Sequence, residues 1–165
     1  MLKILGAVFT VSGLGFLGVK MSNDIKEKIE LAKGFKNGFL YIKSEISLSY
    51  NLLFDGIGNA SGFSGKAKKY FEKCHHLMKK ESVTFKECWE KAIFNIEDKK
   101  LYEILRELGK RLGQSNVETE LLVIDEVNCK LDLYIKEQEK RHLTEGQIYK
   151  KAGFILGIAV VILMI

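Results

Sequence analysis

Two short stretches hold the residue types that do chemistry. The first is Cys74-His75-His76, a thiol followed by two imidazoles. These are zinc ligands, or the parts of a nucleophile and its base. Adjacent residues on a helix point about 100° apart, however, so the two histidines do not converge on one ion. Cys74, Cys88 and Cys129 form no CxxC pair, and no second ligand pair stands at zinc spacing. An odd, unpaired set of thiols fits a reducing compartment and small apolar packing roles. The second stretch is "LGKRLGQSN", residues 108–116, where two glycines, two basic residues and a serine suggest a phosphate cradle. Such a loop needs the GxxxxGK[ST] spacing after a strand, and neither feature is present.

No GxSxG, HExxH or DxD pattern occurs, and the carboxylates alternate with lysines, as in "KEQEKRH", like a solvated helix face. Catalysis, cofactor binding and a small-molecule substrate are therefore not expected. A metal-dependent enzyme built on Cys74, His75 and His76 is the rival reading. The chain carries 26 Lys+Arg against 21 Asp+Glu, a net +5, with no basic block longer than three. That spread does not suit nucleic acid.

The elements that hold these stretches read as helices. Proline is absent, and the apolar residues recur at three and four. Ser22 or Asn23 is placed to cap a helix with the stripe Ile25, Ile29, Ala32, Phe35, Phe39, Ile42 and Ile46. A short helix and a Gly/Ser/Asn turn region follow, and then a stripe of Ala67, Phe71, Cys74 and Met78 opened by Ser64. Thr84 and Glu87 have the spacing of a capping box before "FKECWEKAIFN". Asp98 is placed to cap the stripe Leu101, Leu105, Leu108 and Leu112. Leu112 ends that stripe, so Gly113 falls where the chain must take positive φ. Ser115 and Glu118 then have the spacing of a second capping box, starting a helix with Leu121, Ile124, Leu131 and Ile135. "LGKRLGQSN" is thus read as a corner between two helices. Beyond it nothing but Gly146 weakens the helix, which predicts a run of about 50 residues, roughly 75 Å.

Both ends are apolar. Ile4 to Val19 and Ala152 to Ile165 carry no charge, and lysines flank both runs on the inner side. The expectation is a transmembrane anchor at 1–19, a central helical domain at 20–151 and a transmembrane segment at 152–165. Lys20, Lys26, Lys28, Lys140, Arg141, Lys150 and Lys151 place the central domain in the cytoplasm by the positive-inside bias, next to membrane lipid. A cleaved signal peptide is the alternative for the first run. Gly153 and Gly157 form a small-xxx-small pair suited to packing against another membrane helix.

The corner "LGKRLGQSN" (Leu108, Gly109, Lys110, Leu112, Gly113, Ser115), the pair Trp89 and Ala92 in "ECWEKAI", and the opening "MLKILGAV" together resemble the stage III sporulation protein AB family, over essentially the whole chain. Asn116 stands where that family has Asp, which keeps the capping chemistry. The family's proline is missing from "SEISLSYNLLFDGI", so a turn near Ser47–Ser49 has to form another way. The resemblance implies a cytoplasmic helical domain similar to that of the type II secretion platform protein. It also implies a place in a secretion-like complex joining mother cell and forespore, at the outer forespore membrane. A subunit resembling a secretion ATPase is the implied cytoplasmic partner, beside other membrane subunits.

The expected fold is an all-α antiparallel bundle of five or six helices between two membrane segments, the last helix continuous into the membrane. Its expected role is that of a scaffold. An adaptor or sensor outside sporulation is the alternative. Partner-contacting residues are expected among aromatic and cationic side chains, namely Trp89, Arg106, Lys110 and Arg111.

Overall fold

The computed structural model describes residues 2–49, 53–80, 84–114 and 116–164; within these, the side chains of 2–11, 14, 48, 49, 147, 149, 150, 153, 154, 157, 161, 163 and 164 are not described. Every regular element among the described residues is helical: α1 (Leu2–Ser49), α2 (Leu53–Ala60), α3 (Lys68–Lys80), α4 (Phe85–Ile93), α5 (Lys99–Arg111), α6 (Val117–Arg141) and α7 (Gln147–Met164). Two 3-10 turns, Ser61–Phe63 and Gly65–Ala67, join α2 to α3, with buried Ser64 between them. The chain forms two compact units, one of Glu30–Ile135 and one of Met1–Ile29 with Lys136–Ile165.

The unit of residues 30–135 is an antiparallel bundle. Its core is aromatic because the α1 stripe supplies Phe35 and Phe39, both essentially buried. Their rings meet Phe71 of α3 at 5.8 and 5.6 Å, and Trp89 of α4 at 6.0 and 5.7 Å. Ring pairs at such distances add to plain area burial. The Trp89 indole N–H donates to the Leu105 carbonyl of α5 at 2.9 Å, which satisfies the one polar atom this core side chain brings in. Gly109 stands one turn on from Leu105, and a Cβ there would lie 2.5 Å from Trp89 Cδ1. The glycine is what lets the indole reach the helix backbone. Leu101, Leu105, Leu108 and Leu112 are all buried, as their 4-3-4 spacing predicts. Ion pairs Lys36–Asp132 (2.6 Å) and Lys43–Asp125 (2.5 Å) run in opposite sequence order and fix α1 antiparallel to α6.

The helix ends follow the local chemistry with two shifts. Asp98 caps α5, its carboxylate accepting from the Leu101 amide at 3.0 Å. Leu112 closes the helix and Gly113 takes φ 79°, so the corner forms where the sequence places it. Thr84 precedes α4 with extended backbone, but its side chain makes no capping hydrogen bond. At α6 the cap is Asn116, whose Oδ1 accepts from the Thr119 amide at 3.0 Å. The capping register is therefore one residue later than the Ser115–Glu118 box; Ser115 itself lies outside the described residues, and Glu118 is exposed in the first turn.

Three expectations need correction. Ser22 and Asn23 start no helix, because α1 runs unbroken through them and continues through Ser47–Ser49 without turning. The last helical run, 117–164, keeps the expected length without a break, but it is not α throughout: a π-helical turn, His142–Gly146, separates α6 from α7. Within the unit that holds it, Gly146 lies against α1, where a Cβ would sit 3.0 Å from Ser22 Oγ. Two transmembrane segments at 1–19 and 152–165, with a cytoplasmic domain between them, are also not supported. Among the described residues no helix is long and apolar enough to cross a membrane. The uncharged runs are 16 and 14 residues, short of the roughly 20 a span requires, and the first passes within α1 straight into Lys20, Asp24 and Lys26.

Gly109→Ala and Gly113→Ala separate the two uses of glycine at this corner. Each is expected to destabilise the fold by about 1–3 kcal/mol, the first by overpacking the indole and the second by forcing a Cβ into positive φ. Denaturant unfolding followed by the emission of Trp89, the one tryptophan in the chain, checks both. Gly109→Ala alters the native emission, whereas Gly113→Ala leaves it unchanged.

Candidate partner-binding site

The Cys74-His75-His76 stretch lies on α3, and the helix separates its side chains. Cys74 is fully buried, 3.9 Å from Met78 Sδ, and burial pushes its thiol well above the usual range, away from thiolate chemistry. His75 packs on the Phe54 ring at 4.5 Å, while His76 is exposed. Among the described residues no three His, Cys, Asp or Glu side chains gather where a metal could sit. Cys88 is buried, and Cys129 is the exposed member of the three thiols.

The four predicted contact residues divide sharply. Trp89 is 1 % exposed and belongs to the core, so it offers no surface to a partner. Arg106 reaches from α5 to Glu90 of α4 (2.9 Å) and lies 3.9 Å from Glu103. Arg111 reaches from the end of α5 to Glu126 of α6 at 2.6 Å and to Glu107 at 3.5 Å. Lys130 closes this arrangement into a ring, contacting Glu107 at 2.7 Å and Glu126 at 2.9 Å. Hydrogen bonds from Lys130 and then Arg111 hold the Glu126 carboxyl below its usual range. Both arginines thus have internal work, tying neighbouring helices together. Lys110 is exposed and makes no ion pair among the described residues. Gly153 and Gly157 lie on α7, but what surrounds them is outside the described side chains.

The surface best built for a partner was not predicted. A groove of about 560 Å³ between α3 and α4 is lined by Lys73, Leu77, Glu87, Glu90, Lys91 and Phe94. Phe94 is 75 % exposed, the most exposed of the large apolar side chains described. Its wall residue Glu90 is the one Arg106 grips, so the groove is braced from α5. Exposed aromatic side chains over a firm floor are the usual anchors of protein interfaces. The sequence did contain a signal: Phe94 falls off the Phe85, Cys88/Trp89, Ala92 and Ile93 stripe, leaving a phenylalanine without an inward position.

In class the described residues form an all-helical bundle fold whose surface carries grooves and ion pairs between neighbouring helices. The family model described as Stage III sporulation protein AB matches residues 3–165, and the chain belongs to that family. It is similar to Stage III sporulation protein AB of Bacillus subtilis (strain 168), 22 % identical over 170 residues covering 99 % of each chain. Its fold is similar to a solved structure of Stage III sporulation protein AB, with a TM-score of 0.61 at 17 % identity, over 68 % of this chain and 93 % of that one.

The charge ring gives a pH prediction. Because the Glu126 carboxyl is held low, its ionised form favours the folded chain above the ordinary carboxylate range, and that contribution disappears as pH falls through the lowered value. Glu126→Gln is expected to lower the thermal midpoint at neutral pH. Melting curves of the two proteins should converge as the pH falls through that lowered value, where the native carboxyl becomes protonated too.

Proposed function

We propose that this chain is a structural subunit, not an enzyme, of a secretion-like complex that connects mother cell and forespore during endospore formation. Its work there is to dock a secretion-type ATPase and pass that subunit's position or motion to the rest of the assembly. The observation that carries the reading is family membership across the whole chain. Two structural features support it. The bundle of residues 30–135 is braced by ion pairs between neighbouring helices, as a force-bearing part needs. It also presents Phe94 in the α3–α4 groove, an anchor around which a partner can close.

Charge reversal at Arg106 or Arg111 is a poor map of the docking face, since each also breaks an internal pair. Phe94→Asp and Lys110→Glu are cleaner, because both side chains are exposed. The test is co-purification of the full chain with the ATPase-like subunit of the same organism. Native chain is expected to bind it. Phe94→Asp is expected to weaken binding by about 30-fold or more, the loss of one hot-spot residue. Lys110→Glu reports whether the exposed face of α5 shares the contact. Absence of any binding by the native chain removes the ATPase from the proposal.

A further inference from the structure

On α6 the residues facing away from the core follow their own 4-3-4 pattern, Leu122, Glu126, Cys129 and Leu133. Leu122 and Leu133 are each 68 % exposed. Leu133 stands in a groove of about 810 Å³ between α5 and α6, whose apolar floor includes Ile104 and whose rim holds Lys99, Lys100, Lys110 and Lys130 against two carboxylates. The other end of the same stripe has the opposite character. Around Leu122 lie the exposed Val117 and Glu118. The face therefore has an apolar knob beside the carboxylate of Glu118 at the start of α6, and, where α5 runs alongside toward the other end, an apolar socket rimmed by lysines.

We propose that this face binds a second copy of the chain, the two α6 helices packing antiparallel about a twofold axis. The arrangement seats Leu122 of each copy against Leu133 and Ile104 of the other. Glu118 of each copy then comes beside Lys99 and Lys100, where α5 of the second copy begins. A closed dimer requires a face complementary to itself under a twofold rotation, and a stripe with unlike ends meets that requirement only in the antiparallel sense. Glu126, near the middle, brings no uncompensated charge, because Arg111 and Lys130 of its own chain already hold it. From Glu118 to Leu133 the contact would run about 24 Å along each helix, and α5 widens it. The twofold axis passes between Glu126 and Cys129, so the two Cys129 thiols lie within a turn of each other across the interface. Phe94 lies on the separate α3–α4 groove, so Phe94→Asp tests the ATPase reading apart from this dimer, whereas Lys110 rims the groove used here.

The test is the mass in solution of the full chain, purified in mild detergent, by sedimentation velocity across a concentration series. Native chain is expected to dimerise, and a short bis-maleimide to link the dimer through Cys129, because Cys74 and Cys88 are buried. Leu122→Glu and Leu133→Glu are each expected to weaken the dimer by at least about tenfold while circular dichroism stays native. Lys99→Glu should weaken it as well, and adding Glu118→Lys to that variant should restore it. Three results overturn the proposal: a monomer at every concentration, which leaves the groove to an acidic helix of another protein; a dimer untouched by both leucine variants; and a dimer that Cys129 does not link.

Discussion

One indole holds the bundle of residues 30–135 together. Trp89 touches the rings of Phe35 and Phe39 on α1, Phe71 on α3 and Phe85 at the start of α4. Its N–H is pinned to the backbone of α5 through the Leu105 carbonyl. An indole is large and carries a single donor, so burying it demands both a shaped cavity and one acceptor in a fixed place. The acceptor is available because Gly109 leaves the helix surface open there. Remove either partner and the packing of α1, α3, α4 and α5 has to be solved again.

This constraint joins two features that look separate in the chain. Trp89 and Gly109 are twenty residues apart, one in "ECWEKAI" and the other in the helix corner, yet they are in contact. The corner's two glycines also have different duties. Gly113 supplies the positive φ that ends α5, while Gly109 supplies space for the ring. Around this apolar centre the charged residues act as braces. Lys36, Lys43, Arg106, Arg111 and Lys130 each tie one helix to another. Among the apolar side chains the core did not take, Phe94, Leu122 and Leu133 stand exposed on this bundle.

The local sequence determined a great deal. Spacing of three and four placed the buried stripes of α1, α3, α4, α5 and α6, because a residue's angular position on a helix depends only on its count along the chain. Asp98 and Gly113 were legible for the same reason, since capping and positive φ are local events. Only the tertiary structure decided the rest. Hydropathy marked both apolar ends but did not decide that the first lies within a 48-residue helix, nor that no described helix is long and apolar enough to span a membrane. Composition offered Trp89, Arg106 and Arg111 as contact residues, but burial and ion pairing depend on what arrives from distant helices, and the fold used all three internally. Phe94 was overlooked for the converse reason: a residue off the stripe is exposed only if nothing else packs over it, and that is settled in three dimensions.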